Sequence, residues 1–210
     1  MLAHTQLTTR PSTRFTRRGQ ARHALAGVLA IALLAVPSSA SAATYKIKAL
    51  ADDTFSPASL TVNQGNLVKW INKGGYHDVD ANKPSSYIVT SPRATTGPIT
   101  ERIAVAGSFP FFCSVHLPGM KGKLKVKPTL SRSGSTVTVR LGPVSSSFRH
   151  NIQRRRGSSG TWLSSTTTAG QDSKSFASLS GGTWQFRAKL VRASNQTTSG
   201  YSPVVSVSVP

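Results

Sequence analysis

Two consecutive β-sandwiches, an all-β fold, are what this sequence predicts, and three observations predict them. Apolar and charged residues alternate with period two over short runs. Clusters of Gly, Pro, Asn and Ser cut those runs at short intervals, as the turns between strands require. No segment after residue 43 sustains a helical period.

Residues 1–42 are expected to be a secretory signal peptide and are set aside from the fold. Arg10, Arg14, Arg17, Arg18 and Arg22 make a basic head without an acid, residues 24–36 make an apolar run, and Ala40-Ser-Ala42 offers a small-residue cleavage site. That run is short for a membrane span; an uncleaved anchor is the other reading. Arg17-Arg18 raises a twin-arginine export route, although Gly19-Gln-Ala21 stands where apolar residues should follow the pair.

Residues 43–127 make the first sandwich. Tyr45, Ile47 and Ala49 alternate with Lys46 and Lys48, and Leu124 and Val126 alternate with Lys123, Lys125 and Lys127. Such runs put one face on a core and the lysines in water. Between them, Leu67 is expected to alternate with Lys69, with Trp70 in the same short strand. Residues 128–134 are expected to be a linker. Residues 135–210 make a second, small sandwich, with strands at 135–141 and 149–155 and a turn at Gly157-Ser-Ser-Gly160. A strong strand follows with Trp184, Phe186, Ala188 and Leu190 on one face, and a last one runs from Tyr201 to Val209.

The chain carries 26 Lys+Arg against 6 Asp+Glu, a net charge of +20. Without the five leader arginines the excess is about +15. Such a field favours acidic partners through long-range steering. Acidic redox proteins, anionic cell-wall polymers and membrane headgroups are the candidates, and export excludes nucleic acid. Arg154-Arg-Arg156 is either a docking cluster for an acidic polymer or a hairpin end kept soluble.

The chemistry concentrates in Cys113-Ser-Val-His116-Leu-Pro-Gly-Met120, which holds the sole cysteine and the sole methionine besides Met1. His77 lies upstream in Gly75-Tyr-His77-Asp78-Val79. Each residue alone would read as core filler or surface. Together, two imidazoles, a thiolate and a thioether are the ligands of a trigonal His2Cys copper site with a weak axial Met. Soft sulfur favours Cu(I) and imidazole suits both oxidation states. An unpaired Cys in an oxidising compartment invites oxidation, a hazard that metal ligation removes. The expectation is one copper ion per chain on His77, Cys113, His116 and Met120. His150 has no Cys, Asp or Glu near it in sequence and is expected to be structural or solvated.

Four stretches carry a family resemblance. They are Phe55-Ser-Pro-Ala-Ser-Leu60-Thr-Val62, then Gly65-Asn-Leu-Val68-Lys-Trp70-Ile-Asn72, then His77-Asp-Val, and last the run from Gly107 through Cys113 and Met120 to Val126. In these the chain resembles the cupredoxins of the plastocyanin, amicyanin and pseudoazurin group, over roughly residues 45–127. The resemblance implies a Greek-key β-sandwich with a type 1 (blue) copper centre. It carries the first His to His77, the Cys to Cys113, the second His to His116 and the axial Met to Met120. Asp78, next to the first His, is expected either to tie its loop to the loop of Cys113 through backbone N–H groups or to be an ordinary surface residue. The chain departs from the pattern in its His-to-Met spacing, in Asp78 where many members have Asn, and in Pro110 before the Cys. Residues 135–210 resemble, by pattern, a fibronectin type III or immunoglobulin-like module.

The function expected is an exported protein, periplasmic or extracellular at the cell surface, that shuttles single electrons between redox partners. It is expected not to be an enzyme. A copper oxidase or reductase needs a second, open, histidine-rich site, and of the three His after residue 43 two are committed. The alternative is a copper-binding or adhesive cell-surface protein without an electron-transfer role.

Overall fold

The computed structural model describes residues 42–82, 85–88, 93–94 and 97–210, so the signal-peptide expectation lies outside the described residues. The first sandwich contains β1 (Thr44–Ala49), β2 (Phe55–Ser56), β3 (Ser59–Asn63), β4 (Leu67–Asn72), β5 (Asp78–Val79), β6 (Arg93–Ala94), β7 (Ile99–Arg102), β8 (Gly107–Phe112) and β9 (Lys121–Lys127). One sheet has the order β2-β1-β4-β7 and the other β3-β9-β8, with β5 and β6 paired apart. The second sandwich contains β10 (Thr129–Ser133), β11 (Thr136–Arg140), β12 (Phe148–Arg156), β13 (Leu163–Thr166), β14 (Ser173–Phe176), β15 (Gly182–Arg192) and β16 (Val205–Val209). Its sheets run β10-β11-β14 and β13-β12-β15-β16. The fold is all-β, as the period-two runs predict.

The alternation holds in detail on β1 and β9, where Ile47, Ala49, Leu124 and Val126 are buried. On β4 the parity differs from the expectation. Val68 and Trp70 are the buried pair, and Leu67 shares the outer side with Lys69. Two adjacent apolar residues leave the parity open in the sequence, and the large Trp70 ring decides it by filling the core against Phe111. Phe55 packs edge-on against the same Phe111 ring at 5.0 Å. Such edge-to-face pairs add about 0.5–1.5 kcal/mol beyond the area they bury. Pro110 is tolerated because β8 is an edge strand of its sheet, where a missing N–H costs no ladder bond.

The expected linker is a correction. Thr129–Ser133 pairs along its whole length with β11. It is a largely exposed, Ser- and Thr-rich edge strand, so no apolar alternation announces it. The second core gathers Val137, Val139, Ile152, Trp184, Phe186 and Ala188. Phe148 and Leu190, from β12 and β15, belong instead to the core of the first sandwich. Phe148 meets the Tyr87 ring edge-on at 5.2 Å, and Ser108 and Gly200 exchange both backbone hydrogen bonds at 2.8–2.9 Å. Gly142 has φ +93, and a Cβ there would strike the carbonyl of Ala104, so a glycine is needed where the two sandwiches touch.

His150 is fully buried beneath β12. Its Nε2 lies 3.2 Å from the carbonyl of Gly142. Burial lowers its pKa to about 4, against the raising effects of that carbonyl and of Asp172. It is a neutral core histidine, remote from Cys113 in the sequence and absent from the cluster described below.

Candidate metal centre

The hairpin of β8 and β9 builds three of the four expected positions. The ladder pairs Phe112 with Lys121, and one step further Cys113 donates its N–H to the carbonyl of Met120 at 3.0 Å. The register therefore sets Met120 across from Cys113. Between them the chain turns on the carbonyl of His116, which accepts the N–H groups of Gly119 and Met120 at 3.1 and 3.0 Å. Cys113 and Met120 are buried, whereas the His116 side chain keeps 28% of its surface.

His77 arrives from 36 residues upstream of Cys113 by a different route. Asp80 exchanges backbone hydrogen bonds with Phe112 at 2.8 and 2.9 Å, which lays residues 77–80 beside the end of β8. The loop before His77 is shaped by Asn72, whose side chain bonds Gly74 N–H and the carbonyl of Gly75, both at 2.8 Å. Gly75 sits at φ +78, and a Cβ there would press on the His77 ring, so glycine is required.

Three donors converge as a result. His77 Nδ1 lies 3.2 Å from His116 Nδ1, and His116 Nδ1 lies 3.5 Å from Cys113 Sγ. All three atoms fall within 4.8 Å of one another. The tautomers follow from the outer contacts. His77 Nε2 donates its N–H to the carbonyl of Gly74 at 2.8 Å, so the neutral ring keeps its Nδ1 lone pair facing inward. His116 turns Nε2 toward Asp53 Oδ1 at 3.4 Å and its Nδ1 inward likewise. Two lone pairs and a sulfur aimed at one point repel unless a cation sits between them. Bonds of about 2.0 Å to imidazole and 2.3 Å to thiolate give donor–donor edges of roughly 3.3–3.7 Å for angles between tetrahedral and trigonal. The edges of 3.2 and 3.5 Å are close to that size, and the donor set suits copper.

Outer contacts hold this triangle. Asp78 is buried; its Oδ1 accepts Ser114 N–H at 2.6 Å and its Oδ2 accepts the Ser114 hydroxyl at 2.5 Å. Asp78 thus joins the two loops and is not an ordinary surface residue. Its own N–H points at Cys113 Sγ from 3.4 Å, which limits the rotation of the sulfur. Four neighbours of the site were not read from the sequence. Ser114 and Asp53 carry no motif, because their roles depend on loops meeting in space. Tyr76 and Val115, 64% and 48% exposed, join Leu117 at 54% in an apolar collar beside His116. An exposed Tyr and Val flanking the two histidines are a signal that spacing alone could have offered.

No protein-family model matches the chain. It is 30% identical over 117 residues to plastocyanin of Synechococcus sp. (strain JA-2-3B'a(2-13)), covering 48% of this chain and 84% of that protein. Among solved structures, a mutant plastocyanin of fern aligns with a TM-score of 0.36 and 22% identity, over 40% of this chain and 100% of that one. Native pseudoazurin from Hyphomicrobium denitrificans aligns with a TM-score of 0.35 and 18% identity, over 40% and 75%. The chicken interferon gamma receptor alpha chain aligns with a TM-score of 0.36 and 14% identity, over 65% and 85%.

Proposed function

The chain belongs to the plastocyanin family of cupredoxins, with one copper ion per chain, and we propose that it is an exported carrier that shuttles single electrons between redox partner proteins. The observation that carries the reading is the convergence of His77 Nδ1, Cys113 Sγ and His116 Nδ1 on one point, with buried Met120 bonded back to the same loop. These four residues would hold the ion, with the Met120 thioether as the weakest of the four donors. Copper bound there supplies a one-electron Cu(I)/Cu(II) couple and an intense thiolate-to-metal absorption.

The chain's own residues do the rest. Phe109, Phe111 and the buried sides of Cys113 and Met120 exclude water from the thiolate. Gly74 and Asp78 fix the ring and the sulfur in place, which keeps rearrangement small when the oxidation state changes. His116 is the ligand candidate with an open edge, and Tyr76, Val115 and Leu117 give a partner an apolar surface around it. Lys121 and Lys123, exposed on β9, favour an acidic partner. The domain limits that go with this reading are 43–127 for the copper domain and, with β10 included, 129–210 for the fibronectin type III-like module.

The test is an absorption spectrum and redox titration of the copper-loaded protein. One copper per chain, a blue band and a reversible one-electron wave are expected. Cys113→Ser should lose the band entirely, because a hydroxyl cannot replace thiolate donation. Met120→Leu should keep the copper and raise the potential, since losing the fourth donor leaves a lower coordination number that suits Cu(I) better than Cu(II). A serine variant that stays blue overturns the assignment, and a colourless copper-loaded wild type overturns the function.

A further inference from the structure

The second sandwich presents a face that electron transfer does not use. On β12 and β15 the buried residues of the inner face are Phe148, His150 and Ile152, and Trp184, Phe186, Ala188 and Leu190, while Val191 is buried at one end of the outer face. Arg149, Asn151, Gln153 and Arg155 therefore point outward on β12, and Gln185, Arg187 and Lys189 point outward on β15. The register pairs Arg155 with Gln185, Gln153 with Arg187, Asn151 with Lys189 and Arg149 with Val191. Each successive outward level of the sheet thus carries one cation, in the order Arg155, Arg187, Lys189, Arg149. Two residues of strand rise make each step about 6.7 Å, so the row spans roughly 20 Å.

The row is built rather than scattered. The Trp162 ring holds Arg155 at 4.4 Å and Arg187 at 4.3 Å, and the Tyr201 ring holds Arg187 at 4.5 Å and Lys189 at 5.0 Å. Glutamine oxygens fix the guanidinium groups: Arg155 Nε donates to Gln185 at 2.8 Å and Arg187 Nε to Gln153 at 2.9 Å. These contacts leave the terminal N–H groups of both arginines to meet an oxyanion. Asp172 is the sole acid after Glu101 in the sequence, and it stands beside β14 in the other sheet. No carboxylate pairs with the row among the described residues. At its far end a cleft of about 320 Å³ lies between Arg149, Asn151, Thr166, Lys189 and Gln196.

We propose that this face binds an extended anionic polysaccharide, whose acid groups meet the row of four cations. The inference deepens the expectation of an anionic polymer partner and does not depend on the copper site. A straight row with one charge per step suits a linear polymer better than a compact acidic protein patch. The amides and hydroxyls of Asn151, Gln153, Ser164 and Thr166 beside the row suit the hydroxyls of sugars. Nucleic acid is disfavoured, because both rings are already shared between cations and offer no stacking platform.

The experiment measures binding of the copper-loaded chain 43–210 to alginate, a polyuronate, by calorimetry over a salt series. Polyglutamate of matched charge, a single-stranded oligonucleotide and phosphatidylglycerol vesicles serve as competitors. Alginate should bind tightest and weaken with salt. Arg155→Gln/Arg187→Gln/Lys189→Gln should weaken it by at least about tenfold, and Lys46→Gln/Lys48→Gln/Lys69→Gln, an equal charge change on the first sandwich, by less than about threefold. An unchanged blue band for the first-sandwich variant and an unchanged far-ultraviolet circular dichroism spectrum and melting transition for the second-sandwich variant report that the folds are intact; should the latter misfold, Arg149→Gln alone must weaken binding measurably. Equal losses in the two triple variants, or a competitor that binds as tightly as alginate, overturn the proposal.

Discussion

The two sandwiches share a plan of one four-stranded and one three-stranded sheet, yet they place their polar residues oppositely. The first buries His77 and Asp78 at one end of its core and leaves lysines on its outer faces. Among its described residues the second buries one titratable ring, His150, and gathers its polar chemistry on the outside of one sheet. Topology accounts for part of the contrast. The first sandwich contains parallel pairs, β1 with β4 and β3 with β9, whose crossovers leave long connections free to carry ligands. In the second every pairing is antiparallel, and its sheet face is the larger resource.

The contrast would break down if the second sandwich were only a passenger, and its junction tests that most strongly. Phe148 comes from β12 but completes the first core beside Tyr87. Phe148→Ala should cost about 3–5 kcal/mol, the usual range for truncating a buried Phe. In a calorimetric scan of the copper-loaded protein, the transition that bleaches the blue band should move down. Phe186→Ala, in the second core, should cost a similar amount. If Phe148→Ala leaves the bleaching transition where it was, the two cores are energetically separate.

The same contrast governs what was legible in the sequence. Cys113, His116 and Met120 lie on one hairpin, so their meeting is a local event that spacing can report. His77 lies outside that hairpin and reads as the second imidazole that the ligand set requires; the pairing of Asp80 with Phe112 is what brings it there. Asp53 and Ser114 left no trace, since each acts through a loop whose partner is far away in sequence. The strand Thr129–Ser133 was invisible for want of a buried side. The Arg154-Arg-Arg156 cluster dissolves on folding. Arg154 covers the Phe176 ring, Arg155 the Trp162 ring, and Arg156 reaches the carbonyl of Gly181. A strand sends neighbours to opposite faces, so the cationic row forms from residues spread over residues 149–189 instead.

His150 sharpens the comparison at its one exception. Its pKa is 6.5 in the unfolded chain and about 4 in the folded one. Between those values the unfolded state binds more protons, so stability rises with pH there. The contribution is complete above about pH 7 and is lost as the pH falls from 6.5 toward 4, at most about 3 kcal/mol. Denaturant titrations at pH 7.5 and 4.5 measure the difference. His150→Gln should flatten the slope between them; an undiminished slope would assign the acid sensitivity to other groups.

The smallest expected effect lies at the His116 end, where the first sandwich must meet its partner through a surface rather than a core. Leu117 is 54% exposed and makes no core contact, so Leu117→Asp should leave stability and the blue band unchanged. It should nevertheless slow electron exchange with an acidic protein several-fold, because a carboxylate beside His116 repels that partner and interrupts the apolar collar. The wild-type rate should fall with added salt, since screening at a Debye length of about 8 Å near 0.15 M removes the attraction of Lys121 and Lys123. In the Leu117→Asp variant the salt dependence should shrink, because an added negative charge cancels part of the field that salt would screen. The same charge change on the second sandwich, Arg187→Gln, should leave the exchange rate alone. A rate that follows Arg187 and ignores Leu117 would move electron docking to the sheet face and reverse the division of labour between the two sandwiches.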